Sequence, residues 1–468
     1  MKTEQDVDVQ TMPSAEPQRG RGRWGMLVAL LVVVLIVGAS AAVFAQLARQ
    51  RGNPSSTGVS APPTGQWVAV LSNYEISSLV ASPADPNVLY ACALPLGSKG
   101  GQRYTILRSS DAGTNWQNMG NTFGLGSSCD LAVNPANSSD LYVAGNTAVQ
   151  PTASNAASYM LWHSSDGGQT WTAILPSLSA PTPQQAAPWQ VQQLSMEGSK
   201  LYGIQWFPAS KGVVQPRTVQ PQSRLVMSAD GGHSWTVVDS HFVSASLSVR
   251  GYAVDASNTR TLYELVATSF LPFQPGMQPA NTDVQPAFSS TVSLYKTTDG
   301  GSTWRLLVSQ LPYTTQLQLA SANPQVLYLG GAIAPLPYIP KVEPANPTPA
   351  PFGYFQLRVS TDGGATWKMA TSNTQLLLNK GWFVGPAGRA FLAANQSLSS
   401  SSPTAATAPV SANPSIKSYD PATGKWGDVT TAPASGVLIA LTPTVNNGAV
   451  LWLLASSNTT NTLYRYVA

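Results

Sequence analysis

Carboxylates are the residues whose type and spacing could do chemistry in this chain. Five aspartates recur in one phrase: SSDAGTNW (109–116), SSDGGQTW (164–171), SADGGHSW (228–235), TTDGGSTW (297–304) and STDGGATW (360–367). A carboxylate flanked by glycine can ligate a cation, move a proton, or close a turn by accepting backbone N–H groups. Repetition decides among these, because one catalytic group is not needed five times. Asp111, Asp166, Asp230, Asp299 and Asp362 are therefore read as turn residues. The paired Trp116, Trp171, Trp235, Trp304 and Trp367 are read as rings that pack on a neighbouring sheet while their N–H finds a partner.

Outside the phrase, acid–base candidates are few. From residue 65 onward the only glutamates are Glu75, Glu197, Glu264 and Glu343, and the aspartates free of the boxes include Asp130, Asp239, Asp255 and Asp283. Glu264 adjoins Tyr263, but neighbours in a strand point to opposite faces. The sequence gives no reason to pair any two of these carboxylates. His163, His233 and His241 are scattered, and no Cys/His cluster has zinc spacing. His163 and His233 read as variable surface residues. Neither a metal nor another cofactor is expected. Cys92 and Cys129 can join in one disulfide in an oxidising compartment, or be two small buried hydrophobes.

The elements that position these groups are strands. Apolar or alternating residues precede each phrase (YTILR, YMLWH, RLVM, SLYK, YFQLR), and TWTAIL, SWTVV or TWRLLV follow it, so each phrase is a tight turn between two strands. A second motif lies between the phrases: VLYACA (88–93), DLYVAG (140–145), KLYGIQ (200–205), TLYELV (261–266) and VLYLGG (326–331), with weaker forms at 389–394 and 450–455. That makes seven strand signals against five phrases. SYDPATGKW (418–426) supplies a decayed sixth phrase ending in Trp426. The seventh is split: GQWVAVL (65–71) opens the domain and TLYRYVA (462–468) ends it, so the first strand closes the last sheet. The expectation is an all-β, seven-bladed β-propeller with four-stranded blades, whose closure removes exposed edges.

Surplus length falls between the second and third strands, at 206–222, 268–290, 332–353 and 395–415. Antiparallel succession puts these connections on the face opposite the phrases. They carry Phe207, Phe270, Phe273, Phe288, Tyr338, Phe352 and Tyr354 near their ends or within them, and read either as a recognition surface or as tolerated padding.

Charged residues are 10% of the chain and the net charge is +4, with no basic stripe in the body, which excludes nucleic acid as a partner. Residues 1–25 form a polar, disordered tail. Residues 26–48 are an uninterrupted apolar run long enough to span a bilayer as one transmembrane helix. Cleavage near Ala45, giving a secreted form, is the alternative to an anchor. Residues 49–64 are a Gly/Pro/Ser linker, and 65–468 are the extracytoplasmic propeller. A protein or glycan ligand in the cell envelope is the expected partner.

The phrase S/T-x-D-G-G-x-T-W resembles the Asp box, or BNR repeat, of β-propellers such as sialidases, sortilin-type receptors, xyloglucan-hydrolysing glycosidases and photosystem II assembly factors. The resemblance implies the fold and says little about activity. A sialidase would need three arginines, a Tyr nucleophile paired with a Glu, and an Asp acid/base. Its early Arg-Ile-Pro motif is missing, so no catalytic residue carries over. The reading is a binding or assembly scaffold, with a sialidase-like or xyloglucanase-like glycoside hydrolase as the alternative.

Overall fold

The structure, a computed structural model, describes residues 64–97, 104–123, 125–147, 161–174, 177–178, 190–206, 223–239, 247–268, 291–312, 315–333, 354–371, 381–394, 413–444, 448–456 and 460–468. The tail, the apolar run 26–48, almost all of the linker, and Phe207, Phe270, Phe273, Phe288, Tyr338 and Phe352 lie outside these residues. Among the described residues no helix is long and apolar enough to cross a membrane. All described regular structure is strand apart from turns, consistent with a propeller.

β1 (Trp67–Ser72) stands apart from the strands that follow it. The first sheet is β2 (Tyr74–Ala81), β3 (Leu89–Pro95), β4 (Tyr104–Ser109) and β5 (Gln117–Phe123), and the second is β6 (Leu125–Val133), β7 (Leu141–Thr147), β8 (Leu161–Ser164) and β9 (Thr172–Ile174), each antiparallel in chain order. After the two-residue β10 (Ser177–Leu178) come β11 (Gln190–Glu197), β12 (Lys200–Trp206), β13 (Ser223–Ser228) and β14 (Ser234–Val237). The fourth group is β15 (Leu247–Val254), β16 (Leu262–Thr268), β17 (Thr291–Thr297) and β18 (Arg305–Leu311), joined to the third by one parallel pairing of Ser223 with Ser248. Then follow β19 (Gln316–Leu319), β20 (Leu327–Ile333), β21 (Tyr354–Ser360) and β22 (Lys368–Met369), and β23 (Trp382–Val384), β24 (Ala390–Ala394), β25 (Ser415–Asp420) and β26 (Lys425–Thr431). The last sheet runs β27 (Gly436–Pro443), β28 (Ala449–Ser456), β29 (Asn461–Val467), and its fourth member is β1, with Trp67 opposite Tyr466.

The repeated phrase joins third and fourth strands, and its bonds repeat with it. In the second copy the Ser164 hydroxyl donates to Asp166 Oδ1 at 2.8 Å and accepts from Gly168 N at 2.8 Å. Thr170 returns its N–H to Oδ1 at 2.9 Å and its hydroxyl to Oδ2 at 2.6 Å. Both carboxylate oxygens are thus used inside the turn. Trp171 Nε1 donates to Gly168 O at 3.0 Å, and Trp116, Trp235, Trp304 and Trp367 repeat this bond at 2.9–3.1 Å.

The second glycine of the phrase does more than turn the chain. Its φ is +83° to +99° in all five copies. A Cβ there would also strike the preceding sheet: Trp452 at Gly113, Leu161 at Gly232, Val238 at Gly301 and Leu307 at Gly364. Each turn is therefore seated on the sheet before it. The rings follow: Trp171, Trp235, Trp304 and Trp367 enter the apolar clusters formed with the preceding sheet, Trp116 enters the one shared with the last sheet, and Trp426 and Trp67 occupy the equivalent places. The tyrosine of Leu-Tyr clamps from the other side. Tyr90, Tyr263 and Tyr328 donate to Ser138 O, Gly363 O and Gly388 O of the next sheet at 2.8, 3.2 and 2.7 Å.

The decayed sixth phrase is one residue longer, and its bonds differ. Asp420 Oδ1 accepts Ala422 N at 2.9 Å, and Trp426 Nε1 donates across to Ala370 O at 2.7 Å instead of to its own turn. In the first phrase Ala112 stands where the others have glycine, at φ +56°. An L-residue there costs about 1–2 kcal/mol, and glycine would return part of this as unfolded-state entropy. Ala112→Gly should therefore raise stability by about 0.5–1 kcal/mol in a denaturant melt. Trp235→Ala, at a ring only 5% exposed, should lower it by about 3–5 kcal/mol.

Candidate functional site

The first strands of successive sheets lie against one another: β2 on β6 and β27, β6 on β11, β15 on β19, and β23 between β19 and β27. Several carry a register break near mid-strand, at Ile76/Ser78, Leu125/Cys129, Gln192/Ser195, Val249/Gly251 and Leu438/Ala440. A bulge frees ladder groups and re-aims a side chain. Here the freed groups stitch sheet to sheet. Ser77 Oγ donates to Cys129 O at 3.0 Å, Gln193 N donates to Asp130 Oδ2 at 3.0 Å, and Gln193 Nε2 donates to Arg250 O at 3.1 Å. Cys92 and Cys129 are disulfide-bonded, with Cα atoms 6.1 Å apart, and tie the second strand of the first sheet to the first strand of the second.

This row gathers Asp130, Ser195, Glu197 and Tyr252. Each is partly buried, with some surface left accessible. The Tyr252 hydroxyl donates to Gln193 O at 2.5 Å and lies 3.0 Å from Ser195 Oγ. Burial pushes the Glu197 carboxyl up to about 7, helped by the Asp255 charge. Burial also raises Asp130, offset in part by the Gln193 N–H. Tyr252 is raised by burial, and the charges of Asp130 and Glu197 add to that rise. The consequence is chemical: a nucleophilic phenolate needs a lowered pKa, so Tyr252 is a neutral hydrogen-bond donor here. Glu197 is the group suited to proton transfer near neutral pH.

A second pair of acids lies between the third and fourth sheets. Glu264 is fully buried on β16, and Asp239, just after β14, is 5% exposed. The sequence offered no reason to pair them, yet the fold brings their carboxyl groups together. One signal was present. The residue after Leu-Tyr is Ala91, Val143, Gly203 and Leu329 in the other clear copies, and a glutamate at this apolar position is the exception.

The remaining sequence-predicted residues separate into groups. The five box aspartates sit in their own turns, in separate sheets. Tyr354 is the first residue of β21, opposite Ile333. His163 is not a free surface residue: its Nε2 lies 2.7 Å from Asp140 Oδ1, and its ring stacks on Tyr142 at 4.5 Å. Among the described residues, no three or more His, Cys, Asp or Glu side chains gather in a way that could hold a metal ion. A cleft of about 370 Å³ opens between the last two sheets, lined in part by Arg389, Phe391, Asp428 and Tyr466.

The comparisons with known proteins are weak. No protein-family model matches the chain. A xyloglucanase from a Paenibacillus species is 26% identical over 314 residues, covering 62% of this chain and 26% of that protein, so the chain spans about a quarter of its curated relative. The GH74 xyloglucanase of Xanthomonas campestris superposes with a TM-score of 0.47 at 15% identity, over 85% of this chain and 55% of that one. YCF48 bound to D1 peptide superposes with a TM-score of 0.34 at 12% identity, over 86% of this chain and 96% of that one.

Two pH effects follow from the geometry. Box carboxylates that accept hydroxyl and backbone N–H groups are lowered, to about 2 for Asp166, Asp230 and Asp362. A lowered folded-state pKa stabilises above the unfolded value and is lost as pH falls through the folded one. Melting should therefore drop between about pH 4 and about pH 2, and Asp166→Asn should weaken that drop. Glu197 has the opposite sign: its stability contribution is lost as pH rises toward 7, so Glu197→Gln should melt higher than wild type in mild alkali.

Proposed function

We propose that residues 65–468 form a seven-bladed Asp-box β-propeller that acts as a binding or assembly scaffold in the cell envelope. In this reading residues 26–48 anchor it in the membrane, 1–25 are cytoplasmic and the propeller is extracytoplasmic. The blade count is supported by the grouping of strands in fours, by the tryptophans seated on preceding sheets, and by β1 completing the sheet of β27–β29.

One observation carries the binding reading. The long second-to-third connections begin and end at Trp206/Ser223, Thr268/Thr291, Ile333/Tyr354 and Ala394/Ser415. In the first three of these sheets the opposite end of the same strand pair carries the box residue, as in Leu201 with Ser228 and Leu262 with Thr297. Long connections gathered at one end of a rigid frame are the usual carriers of recognition. The ligand is a protein or a glycan of the envelope. The box carboxylates, spent within their own turns, supply no rival site. Pull-down from envelope fractions, with the intact chain and with the connection 395–415 shortened, tests the idea. Capture should fall on shortening, and equal capture by both forms would remove the basis for it.

A glycoside hydrolase is the second reading, favoured by the likeness to a xyloglucanase and by Glu197, a partly buried carboxyl pushed up to about 7. The scaffold reading expects no turnover of xyloglucan or chromogenic glycosides. Turnover that Glu197→Gln abolishes without changing the fold would establish the hydrolase instead.

A further inference from the structure

Glu264 presents a difficulty that the fold must solve. Its two carboxyl oxygens, and Oδ1 of Asp239, are buried and receive no N–H or O–H from the rest of the protein. Asp239 Oδ2 has one long bond, from Leu225 N at 3.4 Å. Two ionised carboxylates cannot lie together in such a place, because each would lose its hydration and repel the other. One proton held between them removes the repulsion and gives the orphaned oxygens a donor. We propose that Glu264 and Asp239 share one proton and so form a pH-sensitive latch between the third and fourth sheets.

The surroundings support retention of that proton. The groups facing the pair are Arg224 of β13, whose charge acts on Asp239, and two tyrosines in register with Glu264: Tyr252 on β15 and Tyr295 on β17. The Tyr252 hydroxyl is turned away to Gln193 and Ser195. Burial first, and then the Asp239 charge, hold the Glu264 carboxyl well above the ordinary carboxylate range. Burial raises Asp239 to about 6, with the Glu264 bond, the Leu225 N–H and Arg224 pulling it back. Either carboxyl can hold the proton and donate it to the other.

The sign of the effect is fixed. A carboxyl raised in the folded state stabilises the fold at acid pH, and its contribution is lost as pH rises through the folded value. Above that range both groups ionise and push β16 away from the end of β14. A tyrosine joins this latch to the first-strand cluster, since Tyr252 is in register with Glu264 and bonds Gln193 and Ser195.

The test is the melting temperature of the full chain from about pH 5 to about pH 9, for wild type, Glu197→Gln and Glu264→Gln, with infrared detection of the protonated-carboxyl C=O stretch. A glutamine at 264 donates the same bond but cannot ionise. The expected result is a wild-type melting temperature that falls as pH rises, a flatter profile in Glu264→Gln, and a protonated-carboxyl band at neutral pH that loses intensity in this variant, the remainder belonging to Glu197. Parallel pH profiles would overturn the proposal. If Glu264→Gln does not fold, absence of a protonated-carboxyl band at neutral pH in Glu197→Gln, which keeps the pair, overturns the proposal on its own. Stabilisation of wild type by calcium that Glu264→Gln abolishes would mean a cation occupies the place, and would also overturn it.

Discussion

The contact on which the structure depends is the seating of a glycine backbone on the sheet before it. Gly113, Gly232, Gly301 and Gly364 each lie where no side chain fits. Each also accepts the indole N–H of the tryptophan three residues on. The aspartate holds the turn in the shape that makes the seat, and the tryptophan fills the gap beside it. Sheet-to-sheet cohesion is thus written into one eight-residue phrase. Each tyrosine hydroxyl reaching forward to the next sheet adds a polar bond across the same interface. The row of stitched bulges on the first strands does similar work at the opposite edge of each sheet.

This division of labour separates architecture from chemistry. The phrases consume their carboxylates internally, so the groups left to act are those that the repeat does not specify. Glu197, Asp130 and Tyr252 lie on first strands, and Glu264 interrupts an apolar position of a second strand. The two clusters differ in kind. The first-strand cluster is only partly buried and holds one carboxyl pushed up to about 7. The inter-sheet pair is buried, with Glu264 fully enclosed.

What could be read from the sequence follows from the same separation. The all-β class, the hairpin at each phrase and the place of each tryptophan were legible because local geometry constrains the residues strongly. A turn at φ near +90° needs glycine, and a seat on the preceding sheet needs it twice over. The first strands were illegible because they share no phrase: Ser77, Asp130, Gln193 and Gln318 use different chemistry to bridge neighbouring strands. Glu264 with Asp239 was missed because their meeting depends on the packing of two sheets, and strand alternation speaks only for one. His163 was read as variable surface because its partner, Asp140, lies in the turn before the preceding strand and no periodicity links them.

The pairing of β1 with β29 has a consequence in time. The strand that completes the last sheet is made first and cannot find its partner until the rest of the chain has been made. Until then Trp67 lacks the Tyr466 ring that packs against it, tilted, at 5.0 Å, and the apolar surface of the final sheet is uncovered. Closure of so long a loop adds little to the equilibrium cost, which grows only with the logarithm of length. It weighs on the rate instead, since distant pairings form slowly. The sheets from β2 to β26 can assemble one after another as they emerge, each on a seat already made. The last is the one that waits.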